Sequence, residues 1–187
     1  MDPIERRVFN QGALIGALAF AIDGVETWLT PRQAFAQGVP LRTLTADEAA
    51  TLASVGEALV PGARTAGLVQ FVDQQISIPP EEALLEARIM NVRPPFANFY
   101  RAALGAIDRA AKTRSSGRGF AELNASEQHD FIDAMRQSKI EGWQGPPAGF
   151  VYFLLRTDAV DVVYGTMEGY AALGVPYMPH IAPTRSW

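Results

Sequence analysis

The chain has no cysteine. That excludes a disulfide framework, a thiolate zinc site and covalent haem attachment, and it suits an oxidising compartment, where stray thiols are a hazard. Histidine is nearly absent too: His129 and His180 stand about fifty residues apart, with no His-x-x-x-His pair, so the pattern of a zinc site is missing. Positive charge is not in excess. Sixteen Lys and Arg against twenty Asp and Glu leave a net charge of −4, where a nucleic-acid binder carries a basic stripe. No GxGxxG follows a strand pattern and no P-loop is present; Gly117-Arg118-Gly119 lacks the flanking elements either motif needs. No apolar run approaches the roughly 20 residues of a membrane span. What is there is a greasy composition, 48% hydrophobic and 19% charged, of a length that suits one domain with an N-terminal appendage and a core of its own.

The appendage reads as an address. Arg6 and Arg7 are adjacent and Phe9 follows, and Ala13 to Ile22 is a ten-residue uncharged apolar run. Such a run fits the middle of an export signal, and Arg-Arg-x-Phe resembles a twin-arginine signal. Ala34-Phe35-Ala36 supplies a small-x-small cleavage pattern before Gln37. The expected division is a signal segment over 1–36, in helical form and either removed or kept as an anchor, and a helical domain over 37–187. Asp23 and Glu26, between the apolar run and the triplet, are unusual in a signal and keep an ordinary N-terminal amphipathic helix as the alternative.

Beyond the triplet the pattern is helical. Thr45-Ala46-Asp47-Glu48 is a capping box, and Leu52, Val55, Gly56 and Leu59 follow at helical spacing up to Pro61-Gly62. A second helix is expected from about Thr65 to Ser77, with Leu68, Phe71, Val72 and Ile76 inward. A third should run from Glu81 to Met90 and a fourth from Phe96 to about Lys112, carrying Tyr100, Ala103, Leu104 and Ile107. Residues 115–119 form a polar, glycine-rich loop. Asn124 to Glu127 looks like another capped start, for a fifth helix ending near Ile140 with Phe131, Ile132 and Met135 inward. The sixth, Ala148 to Tyr164, is apolar nearly all round, so it is buried on all sides or covered by a partner. A short turn from Met167 to Leu173 precedes Pro176, Pro179 and Pro183, which hold the end extended. No strand with strict alternation stands out, and no fixed period repeats. The expected fold is all-α, a single helical domain with short proline-broken connections and an extended C-terminal arm.

Few residues invite a chemical role. His129 reads as an exposed side chain on the polar face of the fifth helix. Asp158 and Asp161 lie three apart on one helix. Paired carboxylates can do acid–base work, but pairing with Arg156 or with a partner's arginines is the ordinary alternative. The C-terminal third is rich in aromatic residues, which belong in cores and interfaces at least as often as in sugar platforms. Trp143, Tyr164, Tyr170, Tyr177, Met178, His180, Ile181 and Trp187 are therefore the candidate partner interface. No residue is assigned to catalysis, to a cofactor or to a metal.

Several blocks in order resemble one family. They are Leu44-Thr45-Ala46-Asp47-Glu48, the stretch from Val55 to Gln75, Phe120-x-x-Leu123, the stretch from Asp158 to Tyr170, and Leu173 to Met178. Over about residues 40–180 the chain resembles the gluconate 2-dehydrogenase subunit 3 family, small subunits of membrane-associated FAD-dependent sugar and polyol dehydrogenases. The resemblance implies a helical, non-catalytic partner of a large FAD-containing flavoprotein of the glucose–methanol–choline type, with electrons passing to a c-type cytochrome subunit, through haem c, or to another acceptor. It also implies a twin-arginine signal that carries the folded large subunit into the periplasm through the twin-arginine translocase. The chain departs from the pattern after Tyr164-Gly165, where many relatives continue Gly-Asn and end rich in tryptophan. Here Thr166-Met167-Glu168 follows, and the ending is Pro179-His180-Ile181-Ala182-Pro183. That departure points to a sub-branch, one acting on glycosides rather than gluconate. Two rival readings remain: a free-standing enzyme using Asp158, Asp161 or His180, and a membrane-anchored scaffold with an uncleaved N-terminal helix.

Overall fold

The computed structural model describes residues 16–22 and 24–176. Arg6, Arg7 and Phe9 of the export motif lie outside them, as do Tyr177, Met178, His180, Ile181 and Trp187. Among the described residues are eight α-helices, one short 3-10 turn and one β-hairpin.

The hairpin corrects the expectation of an all-α fold and of a helix running through Ile22. Strands β1 (Leu18–Ile22) and β2 (Val25–Leu29) pair antiparallel, Leu18 opposite Leu29 and Ile22 opposite Val25. In the sequence Asp23-Gly24 stands between them, a pair strongly favoured in tight hairpins, and Gly24 has φ +79°. Phe20 and Leu29 turn inward, while Val25 and Trp28 are exposed. Helix α1 (Pro31–Ala36) follows at once. Thr30 caps it in a reciprocal box with Gln33, and Pro31 opens the first turn. Phe20, Leu29, Ala34 and Val39 make a small second core.

The main body is helical as expected. Helix α2 (Ala46–Leu59) starts from the Thr45–Glu48 capping box. Helix α3 is Leu68–Gln75. The expected third helix shrinks to α4 (Glu86–Ile89), because residues 79–82 turn around Pro79-Pro80 and the chain re-enters a helix only after Leu85. Helix α5 (Phe96–Arg114) is the longest, with Lys112 and Arg114 at its negative end. The 3-10 turn is Phe120–Glu122. Helix α6 (Ala125–Arg136) starts at the Asn124–Glu127 box. It stops short of Ile140 because Ser138 takes a left-handed φ of +55°, which ends the helical path. Helix α7 (Ala148–Tyr164) runs as expected, and α8 (Met167–Ala172) is the last.

Helix α7 is the hub, packing against α2, α3, α4, α6 and α8. Val151, Leu154, Leu155 and Ala159 are fully buried. Phe150 meets Phe99 of α5 edge to face at 5.9 Å, and Phe120 meets Phe131 at 5.3 Å. Helices α2 and α3 approach closely at Gly56, where a Cβ would come 2.2 Å from a Leu68 methyl.

Candidate functional site: a buried polar frame and an exposed apolar rim

Three polar side chains at the end of α3 organise the surrounding chain. Asp73 is 3% exposed and accepts the backbone N–H groups of Arg42 (2.7 Å), Thr43 (2.9 Å) and Leu44 (2.8 Å). That fixes the approach to α2, and Arg101 adds a bond to the Thr43 carbonyl at 2.6 Å. Gln74 donates to the Ala19 carbonyl of β1 at 3.2 Å. Gln75 accepts from the Leu84 N–H and donates to Gln74. Buried polar groups need such partners, and here the partners tie α3 to the hairpin, to the entry of α2 and to the entry of α4. Glu57 closes the turn at Pro61-Gly62 by accepting from the N–H groups of Gly62 and Arg64.

A second polar centre joins α4, α5 and α7. Asp158 is 1% exposed. It accepts the Tyr100 hydroxyl at 2.5 Å and the Glu86 N–H at 3.2 Å. Burial drives its carboxyl up to about 7; the bonds from Tyr100 and Glu86 oppose the rise, and the Asp161 and Glu86 charges add to it. Burial, then the Asp158 charge, holds the Tyr100 hydroxyl well above the usual phenol value. Asp161 points to the exposed side of α7; desolvation and then Glu86 raise its carboxyl. The two aspartates thus occupy different environments and do not form a facing pair. The partner of Asp158 is Tyr100, not Arg156. His129 is exposed on α6, as expected.

The aromatic interface candidates divide. Trp143 is half-buried and donates its indole N–H to the Pro146 carbonyl at 2.7 Å, pinning the turn before α7. Tyr164 is half-buried against the main core, and Tyr170 is half-buried on α8. Besides Val25, Trp28 and Phe35 on the hairpin and α1, the exposed large apolar side chains are Leu84, Ile89 and Met90 around α4, Phe153 on α7, and Met167, Leu173 and Val175 on and after α8. Both α4 and α8 pack against α7. Sequence reasoning missed this rim because it weighed aromatic residues above aliphatic ones. Its usable signal was an Ile-Met pair next to Asn91 in a helix too short to bury both. It also missed Asp73, and it read Tyr100 as an inward residue without its bond to Asp158; a carboxylate set among Phe71, Val72 and Leu68 was the available hint for Asp73.

Two depressions on the surface of the described residues are small. One of about 130 Å³ is lined by Arg114, Glu127 and Phe131, and one of about 140 Å³ by Asp47, Glu48 and Asp108. Neither reaches the roughly 300 Å³ at which small-molecule pockets begin. Among the described residues no three His, Asp or Glu side chains gather around one point that could hold a metal ion, and no helix is long and apolar enough to cross a membrane.

The described body is mostly helical, with a hydrogen-bonded polar frame and apolar side chains exposed around α4, α7 and α8. The family described as Gluconate 2-dehydrogenase subunit 3 matches residues 46–180, and the chain belongs to it. Membership implies an accessory subunit and a partner dehydrogenase complex. Comparison with curated proteins and with solved structures returns no match.

Proposed function

We propose that this chain is the non-catalytic small subunit of a periplasmic or membrane-associated FAD-dependent dehydrogenase of sugars, glycosides or polyols. It stabilises a large flavoprotein of the glucose–methanol–choline type and carries it across the membrane through the twin-arginine pathway. FAD belongs to the large subunit, and the electrons pass on to a c-type cytochrome subunit or another acceptor. The family match over 46–180 carries this reading. The exposed apolar side chains around α4, α7 and α8 support it, since clustered exposed apolar surface marks interaction sites. Arg6, Arg7 and Phe9 support the export role.

Co-expression with a tagged large subunit tests the assignment. The expected result is a stoichiometric complex with flavin absorption, and a small subunit that is colourless when purified alone. Stoichiometric flavin on the isolated chain would reverse the roles. Changing Arg6 and Arg7 together to Lys should strand both subunits in the cytoplasm; normal periplasmic amounts would remove the twin-arginine part.

A further inference from the structure

The small-x-small triplet before Gln37 is built into the folded body. Ala34 is fully buried, in one cluster with Phe20, Leu29 and Val39. The helix that contains the triplet is closed at both ends. At its start, Thr30 and Gln33 cap each other at 3.2 and 2.9 Å. At its end, the N–H groups of Gln37, Gly38 and Val39 bond back to the carbonyls of Gln33, Phe35 and Ala34 at 2.9, 3.0 and 3.0 Å, with Gly38 at φ +63°. That is a helix terminated by a left-handed glycine. The helix is also seated on α3: a Cβ on Gly67 would lie 2.0 Å from the Pro31 carbonyl oxygen. Upstream, the Gln74 side chain holds β1 through the Ala19 carbonyl.

A leader peptidase binds the residues before its cut as an extended segment, with the small side chains three and one residues before the cut in its own pockets. Here the first of those side chains is buried and both stand in a helix. Cutting a folded protein requires local opening, and opening α1 here also dismantles the second core. We infer that the folded protein is locked against cleavage between Ala36 and Gln37, so that the hairpin and α1 stay as part of the working subunit and any trimming falls ahead of Ala17. As a statement about processing in the cell, this rests on the export reading above. It also limits that reading, because Leu18–Ile22, the second half of the apolar run, is a paired strand in the folded protein.

The test is intact mass. The full chain, tagged at its C-terminus, is produced in a bacterium with an active twin-arginine system, fractionated and weighed, beside Gly67→Val. The expected product is exported and has a mass that includes every residue from Ala17 onward, at most the 20.3 kDa of the full chain plus tag. An exported product beginning at Gln37 overturns the lock and leaves the export reading standing. A product that stays in the cytoplasm overturns the export reading, and amide exchange on the purified chain then decides the lock. The Gln37 and Val39 amides should exchange on the order of 100-fold or more slower than in a free peptide; free-peptide rates overturn it. Gly67→Val, which unseats α1, should yield the product beginning at Gln37. If its α1 amides exchange freely and the chain still stays uncut, the lock is not what protects the triplet. If the variant does not accumulate, the wild-type mass and exchange decide.

Discussion

Asp158 couples folding to pH. Its carboxyl moves from 3.8 unfolded to about 7 folded, chiefly through burial. The folded protein therefore keeps a proton that the unfolded chain releases. The stability this supplies is complete below about pH 4, declines as pH rises towards 7, and is gone above that. Asp161 shifts in the same direction, so the diagnostic is a difference between variants. Urea unfolding of wild type and Asp158→Asn at pH 4.5 and pH 8 should show a smaller fall between the two pH values in the variant. An equal fall in both would place the titration elsewhere. Asp158→Ala leaves the Tyr100 hydroxyl and the Glu86 N–H without their acceptor and should cost about 1–3 kcal/mol at pH 4.5. Asp73 differs in kind, because it serves three backbone donors. Asp73→Ala should lose on the order of 3 kcal/mol in urea unfolding, and Asp73→Asn less, since one amide oxygen still accepts.

At the scale of elements, what the sequence made legible was local chemistry. Thr45–Glu48 and Asn124–Glu127 read as capped starts and are; Ala148 and Tyr164 read as the ends of one helix and are. The inward residues of α2, α3, α5 and α6 were visible because apolar side chains at 3.6-residue spacing leave little choice of face. The hairpin was not read. Its strands are five residues each, and the sequence Leu-Ala-Phe-Ala-Ile hides the alternation, because alanine is apolar on the outer face as well. Only Asp23-Gly24 marked it, and beside an arginine pair an apolar run of that length reads first as a signal. The buried roles of Asp73 and Asp158 were out of reach for a different reason: their partners lie 29 or more residues away. The capping boxes also make the simplest test at this scale. Thr45→Ala removes the acceptor for the Glu48 N–H and should destabilise by about 1 kcal/mol, read as a lower urea midpoint with an unchanged slope. A loss below a few tenths would mean that Asp73 alone sets the entry of α2.

For the molecule as a whole, the question is which surface meets the large subunit. Helix α7 packs on five other helices, so an event at its outer face reaches most of the body. The short helices α4 and α8 pack on it, and most of the exposed large apolar side chains lie on or beside these three elements, the others being Val25, Trp28 and Phe35 on the hairpin and α1: Ile89 is 68% and Phe153 41% exposed. Neither contributes to the core, so replacing them should leave folding intact, as surface changes away from caps and buried networks do. Their loss should be felt in association, because a few apolar anchors carry most of the energy of an interface and a carboxylate placed in one has no partner there. Ile89→Glu combined with Phe153→Glu is therefore expected to keep the wild-type circular dichroism and urea midpoint. The large subunit recovered with it should fall by about tenfold or more, equivalent to at least ~1.4 kcal/mol of binding free energy. Val25→Glu, on the equally exposed hairpin, is the contrast and should recover the large subunit at wild-type levels. If the hairpin variant loses the partner while the double variant keeps it, the docking face lies on the second core instead, and the hairpin is retained because it is the interface.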